Sequence, residues 1–168
     1  MHELLKNRRS IRKYKEQQVP EDLLDAILET GLFAPTGMNK QNVVMVAVRD
    51  KATRDQLSAM NAAVMGATHD PFYGAPCVIV VLGDPEVYPV VENGSLVLGN
   101  LMNAAYEAGL GSCWIHRAKQ MFETQEGKDL LKKWGLPETL VGVGNCILGY
   151  PDEEPAPKPR LEGRIVKV

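Results

Sequence analysis

Residues 7–14, Asn7-Arg8-Arg9-Ser10-Ile11-Arg12-Lys13-Tyr14, gather Arg8, Arg9, Arg12 and Lys13 around one serine. Planar guanidinium forks with paired donors, plus a hydroxyl, are what a phosphate dianion requires. A solvated basic turn is the plain alternative for so short a cluster. Near the other end, Lys158 and Arg160 lie in a Pro-rich run with Pro151, Pro155, Pro157 and Pro159. Such a run is extended, and side chains two apart then point the same way, so both charges can reach one target. Between these clusters lies Ala34-Pro35-Thr36-Gly37-Met38-Asn39-Lys40-Gln41-Asn42, a loop whose Thr, Asn and Gln supply both donors and acceptors. Loops of this kind often touch ligands, though many only connect. His69 and Asp70 adjoin in another loop, but no third group stands at ligand spacing, so they read as surface residues and no metal site is expected.

The elements that must hold these groups are organised around Val91–Arg117. Leu96, Val97, Leu98, Leu101, Met102, Ala104, Ala105 and Ala108 go most of the way round the wheel, which predicts a helix buried on several sides. Asn93 or Ser95 is its expected N-cap, and Gly109 its left-handed C-terminal residue. Gly111–Ile115 then reads as a strand, so a buried helix turning into a strand forms a rigid seat. Val43–Val48 lacks polar alternation and reads as a central strand covered on both faces. Pro76–Leu82 and Leu140–Leu148 are further buried strands, with Gly142 and Gly144 marking close backbone approach. Helices are expected over Glu3–Arg9, from Val19-Pro20-Glu21-Asp22 to a stop at Pro35, over Asp50–Met65, and over Met121–Trp134. Arg164–Val168 alternates like an edge strand.

With 168 residues, one domain spanning 1–168 is expected, with a core that needs no staples. A net charge of -2 gives no global field toward nucleic acid or an anionic membrane, so neither is expected as a partner. The start, MHELLKNRRS, has no apolar leader, and no apolar run approaches the ~20 residues of a membrane span. The 3 cysteines, Cys77, Cys113 and Cys146, lie far apart among apolar residues. An odd, unpaired set suits buried reduced thiols and a cytoplasmic location.

Taken in this order, the segments resemble the FMN-dependent nitroreductase family across nearly the whole chain. Arg8-Arg9-Ser10-Ile11-Arg12 is similar to the opening R-[RH]-S-x-[RK] motif, which grips the ribityl chain and phosphate of FMN. Ala34–Gln41 resembles the A-P-S-x-x-N-x-Q loop, which reaches the isoalloxazine ring from the other subunit; this implies roles for Pro35, Thr36, Gly37, Asn39 and Gln41. Gly109-Leu110-Gly111-Ser112-Cys113-Trp114-Ile115 resembles the G-L-G-[TS]-x-W-I turn. The resemblance implies ring contacts at Cys113, Trp114, Ile115 and His116, with the His116 amide on flavin N5. Lys158-x-Arg160 matches a late K-x-R pair that returns to the phosphate. Asn42 and Val43 stand where many members have Pro and an aromatic, and His116 where many have Gly. Arg117 puts a cation by the expected pocket mouth, suited to an anionic substrate or to the phosphates of a nicotinamide donor.

The resemblance implies an α+β fold: a mainly antiparallel central sheet flanked by helices around a buried core helix, in an intertwined homodimer. There the last strand adds to the partner's sheet and FMN sits between the subunits. The implied activity is ping-pong hydride transfer from NADH or NADPH, through flavin N5, to a nitroaromatic, quinone or similar electron-poor acceptor. His116 is the candidate catalytic side chain, because an imidazole can lend a proton near neutrality; a backbone-only role is the alternative. Two other functions stay open: a non-catalytic dimer that stores or senses FMN, and a different flavin reaction, such as dehalogenation or flavin fragmentation, on the same scaffold.

Overall fold

The computed structural model describes residues 3–168. At its centre is a 4-stranded sheet in the order β1-β2-β4-β3, formed by β1 (Val43–Val48), β2 (Cys77–Gly83), β3 (Gly111–Ile115) and β4 (Val141–Gly149). Every pairing is antiparallel. Strand β2 is buried along its whole length and β4 along nearly all of it, which their unbroken apolar runs predicted. Strand β1 is not central: it occupies a sheet edge and is mostly half-buried. Its faces are nonetheless both packed, Val44 and Val46 on one side and Val43, Met45 and Ala47 on the other. The side-chain period reports faces and is blind to an open edge.

Helices cover both faces. One layer holds α2 (Glu21–Leu32) and α4 (Val90–Glu107); the other holds α3 (Lys51–Met65), α5 (Ala118–Glu123) and α6 (Gln125–Lys133), with α1 (Glu3–Asn7) at the start. The core accordingly divides at the sheet, with Leu57, Phe72, Val80, Met121 and Ile147 on one side and Ile27, Ile79, Leu98, Leu101 and Leu148 on the other.

Helix α4 buries Val97, Leu98, Leu101 and Ala105, yet Val91, Leu96 and Tyr106 stay exposed, so within one chain it is not covered all round. It also starts earlier than expected, after Pro89, with no side-chain cap. Asn93 is buried inside its first turns, and Ser95 bonds back to the Val91 carbonyl at 2.7 Å. Gly109 takes the expected left-handed conformation, φ 75°. The single helix expected over Met121–Trp134 is two, because Thr124 leaves the helical region and its hydroxyl caps α6 at Gly127 N–H, 3.1 Å. Gly142 and Gly144 do mark close approach: a Cβ would run into the Ala118 backbone at the first and the Trp114 ring at the second. Residues 164–168 form no strand within the chain and are exposed.

Asp70 is no idle surface residue. Its carboxylate accepts from Arg54 Nη2 (2.6 Å), the Ser58 hydroxyl, Phe72 N–H (2.8 Å) and Gly74 N–H (2.7 Å). Arg54 is itself buried, donates to the Ala75 carbonyl at 3.0 Å and lies over the Phe72 ring. All 3 cysteines are free and buried. Among the described residues, no helix is long and apolar enough to cross a membrane, and no group of three or more His, Cys, Asp or Glu could hold a metal ion.

Candidate functional site

The basic segment is laid along the outer edge of β3. Ile11 N–H donates to the Ser112 carbonyl at 3.0 Å, and Ser10 makes an isolated parallel bridge to Ser112. The approach requires a residue without a side chain at 111, because a Cβ on Gly111 would stand 2.8 Å from the Ile11 side chain. Tyr14 holds the segment from below, its hydroxyl donating to the Ile11 carbonyl at 2.7 Å. Burial pushes this phenol well above its usual range, so it stays a donor. The chain leaving β4 runs alongside: Lys15 N–H bonds the Tyr150 carbonyl at 2.9 Å, Asp152 N–H the Lys13 carbonyl at 2.9 Å, and Glu153 accepts from Arg12 N–H.

Between these strands opens a cavity of about 410 Å³ lined by Arg9, Ile11, Tyr106, Leu110, Ser112 and Pro155, among others. Arg9 Nη1 is anchored on the Arg8 carbonyl at 2.9 Å. Arg9 Nε, Arg8 Nη1 and the Ser112 hydroxyl, all buried, have no partner. Guanidinium and hydroxyl groups left in this way cost stability unless something polar meets them. Arg12, Lys158 and Arg160 do not line this cavity: all are exposed, with no salt bridge among the described residues. Within one chain the two basic clusters therefore do not converge on one spot, and of their cations only Arg9 lines the cavity.

The second motif lies apart. Thr36 and Gln41 line a separate pocket of about 90 Å³ with Ala34, Val43 and Val97. Gln41 N–H bonds the Thr36 hydroxyl at 3.0 Å, and Gln41 Nε2 the Asn39 carboxamide at 3.2 Å. Met38, Asn39 and Gln41 all have left-handed φ, 50°, 53° and 48°, a concentration typical of functional loops. The loop is tied down by Asn93, which accepts from Gly37 N–H at 3.0 Å and donates to Asn42 at 2.8 Å. Asn42 in turn donates to the Val87 carbonyl at 3.1 Å. Pro35, Asn39 and Gln41 are exposed, and one chain brings none of them to the Arg9 cavity.

The third motif ends at β3. Cys113 and Ile115 turn their side chains into the core, while Trp114 is half-buried with its indole N–H unpartnered. His116 is exposed, and Arg117 takes φ 79° as the chain turns into α5. Neither backbone N–H, of His116 or of Arg117, has an acceptor among the described residues. The carbonyls of this turn, in contrast, are held from inside. Asn61 Nδ2 donates to His116 O at 2.7 Å and Asn145 Nδ2 to Ile115 O at 3.4 Å. Both asparagines are wholly buried. They were not anticipated, although a lone Asn within the apolar run Leu140–Leu148 was a visible anomaly.

The chain is similar to known proteins in sequence and in fold. The model of the nitroreductase family matches residues 5–150. An NADH dehydrogenase of Thermus thermophilus is 44% identical over 92% of this chain and 88% of its own. An FMN reductase [NAD(P)H] of Bacillus subtilis is 27% identical over 99% of this chain and 73% of its own. Among solved structures, a nitroreductase with bound FMN from Bacteroides fragilis superposes with a TM-score of 0.90, at 27% identity, over 100% of both chains. An iodotyrosine deiodinase bound to FMN and 3-iodo-L-tyrosine, 24% identical with a TM-score of 0.78, shares the fold.

Proposed function

Because the chain belongs to the nitroreductase family, we propose that it is an FMN-dependent oxidoreductase that passes hydride from NAD(P)H to an electron-poor acceptor such as a nitroaromatic or a quinone. One observation carries the reading to this chain: Arg9 Nε and the Ser112 hydroxyl, on two residues that line the cavity along β3, are buried without partners, as is Arg8 Nη1 on the preceding residue. These are the donors that a phosphate and a ribityl chain would satisfy, and the cavity beside them has room for both. When bound, FMN supplies the two-electron carrier.

The remaining work falls to the protein. Arg8 and Arg9 neutralise the phosphate, with Ser10 and Ser112 at the ribityl hydroxyls. The outward N–H groups of His116 and Arg117 would face the ring edge of bound FMN, where donors stabilise charge as it develops. The His116 imidazole, exposed at that point, is the candidate proton donor to the acceptor. Arg117 draws the phosphates of the nicotinamide donor. Pro35, Thr36, Gly37, Asn39 and Gln41 close the site from a second chain, and Lys158 and Arg160 reach the phosphate when the tail is fixed by that chain. Donor and acceptor would use the same site in turn, which would make the kinetics ping-pong. Residues 1–168 act as one domain in a homodimer, and the nicotinamide supply and reduced thiols fit the cytoplasm.

The test is flavin binding. Arg9→Ala should bind FMN ~10- to 100-fold more weakly, the loss of one charge-assisted contact. A fluorescence titration showing wild-type affinity in Arg9→Ala and in Ser112→Ala overturns the assignment. Steady-state NADH oxidation with and without acceptor separates an enzyme from a storage protein.

A further inference from the structure

Asn61 on α3 and Asn145 on β4 are each 0% exposed, and both carboxamides turn toward the end of β3. Each spends its NH₂ group there. Asn61 Nδ2 bonds His116 O at 2.7 Å and touches Met121 Sδ at 3.2 Å; Asn145 Nδ2 bonds Ile115 O at 3.4 Å and lies 3.6 Å from the same sulfur. Their amide oxygens, Asn61 Oδ1 and Asn145 Oδ1, are buried without partners. The orientation is forced, because a flipped amide would set oxygen against a carbonyl oxygen. Two half-satisfied amides in a core weaken it relative to apolar side chains of the same shape. Stability therefore does not account for them.

Their effect on the backbone does. The two carbonyls belong to consecutive peptide planes, Ile115–His116 and His116–Arg117. In a trans peptide the N–H points opposite to the C=O. Carbonyls drawn inward leave the His116 and Arg117 N–H groups turned outward, where neither has an acceptor among the described residues. A hydrogen bond accepted at a carbonyl also polarises the same peptide's N–H and makes it a stronger donor. We infer that Asn61 and Asn145 are positioning residues for these two N–H groups: Asn61 holds the His116–Arg117 plane, Asn145 adds a second bond to an Ile115 carbonyl that strand pairing already turns toward β4, and both polarise the N–H groups toward the flavin ring edge. The inference rests on the FMN reading above.

Donors strengthened at the ring edge favour the electron-rich form of the ligand, so the readout is the ratio of dissociation constants for oxidised and reduced FMN, measured anaerobically. Asn61→Leu and Asn145→Leu keep side-chain size and remove the donor. Each should lower the preference for reduced FMN by about threefold to tenfold, the upper figure equal to a fall of ~30 mV in a two-electron potential. Leu57→Ala is the control: it opens a cavity under the same helix and touches neither carbonyl. It should lower Tm and leave the ratio unchanged. Unchanged ratios in both Asn variants that still bind FMN overturn the inference alone, whereas a wild-type protein that binds no FMN overturns the functional reading and the inference with it. Wild-type protein supplies a second measurement that needs no variant to fold. The His116 and Arg117 amides should exchange hydrogen quickly without FMN and at least tenfold more slowly with it; slow exchange without FMN means that they are not turned outward, and overturns the inference.

Discussion

Asp70 joins α3 to the chain entering β2, because Arg54 and Ser58 reach it from the helix and Phe72 N–H and Gly74 N–H from the loop. Burial raises its carboxyl, but the Arg54 guanidinium and the other donors outweigh burial and hold it below the ordinary carboxylate range. A carboxyl depressed on folding contributes stability above its unfolded value, ~3.9, and loses it as pH falls through the folded value. Wild-type stability should therefore decline as pH falls below about 4. Asp70→Asn leaves the buried Arg54 without its charge partner. It should cost roughly 2–3 kcal/mol at pH 7, less than a fully buried pair because Asp70 is partly exposed, and show a flatter acid limb. Urea melts at pH 7, 4 and 2.5 check both; an unchanged acid slope in Asp70→Asn would place the acid sensitivity elsewhere.

At the scale of elements, the site depends on how closely the Arg8–Arg12 segment lies on β3, and Gly111 sets that distance. Gly111→Ala sets a Cβ 2.8 Å from Ile11. It should lift the segment and weaken FMN binding by about tenfold, about 1.4 kcal/mol. Ile11→Gly in the same chain, which removes the Ile11 Cβ at 2.9 Å as well as the branches beyond it, should recover most of the loss; a double variant no better than Gly111→Ala rules out this contact. The strands were legible in the sequence because unbroken Val, Ile and Leu runs admit few other placements, and the arginine, loop and Gly-Leu-Gly motifs could be read from residue types alone. The edge position of β1 was not legible, since apolar period shows which faces pack and not which neighbours pair. The break at Thr124 was hidden because Phe122, Leu130 and Leu131 keep a continuous apolar stripe across it. Asn93 looked like an N-cap because Asn favours that position. Its actual role, bonding Gly37 and Asn42 on the loop before β1, depends on tertiary contacts that local sequence does not encode.

The molecule as a whole leaves an unusual amount of large apolar surface open. Leu32, Phe33, Met38, Tyr88, Val91, Leu96, Ile165 and Val166 are all exposed, and they come from α2, the loop after it, the segment before α4, α4 itself and the tail. Apolar surface gathered in this way belongs in an interface. Two of the three site motifs meanwhile open on separate cavities of the same chain. Both features follow if two chains clasp each other and each completes the other's site. Light scattering on the FMN-loaded protein should give twice the 18.5 kDa chain mass. Mixing Arg9→Ala chains with Asn39→Ala chains, after partial unfolding to allow exchange, should regenerate flavin sites in the heterodimer. A monomer that retains FMN, or no recovery on mixing, refutes the shared site.

The buried thiols also matter for a protein of this kind. A two-electron carrier open to solvent leaks electrons to dioxygen and makes hydrogen peroxide beside the chain that holds it. Peroxide attacks thiolates, in proportion to their exposure and to how readily the thiol ionises. Here burial pushes the Cys77 thiol up to about 12 and the Cys146 thiol higher still, and Cys113 is 3% exposed. Almost no thiolate stands within reach, so peroxide formed in idle turnover would diffuse away without oxidising these thiols.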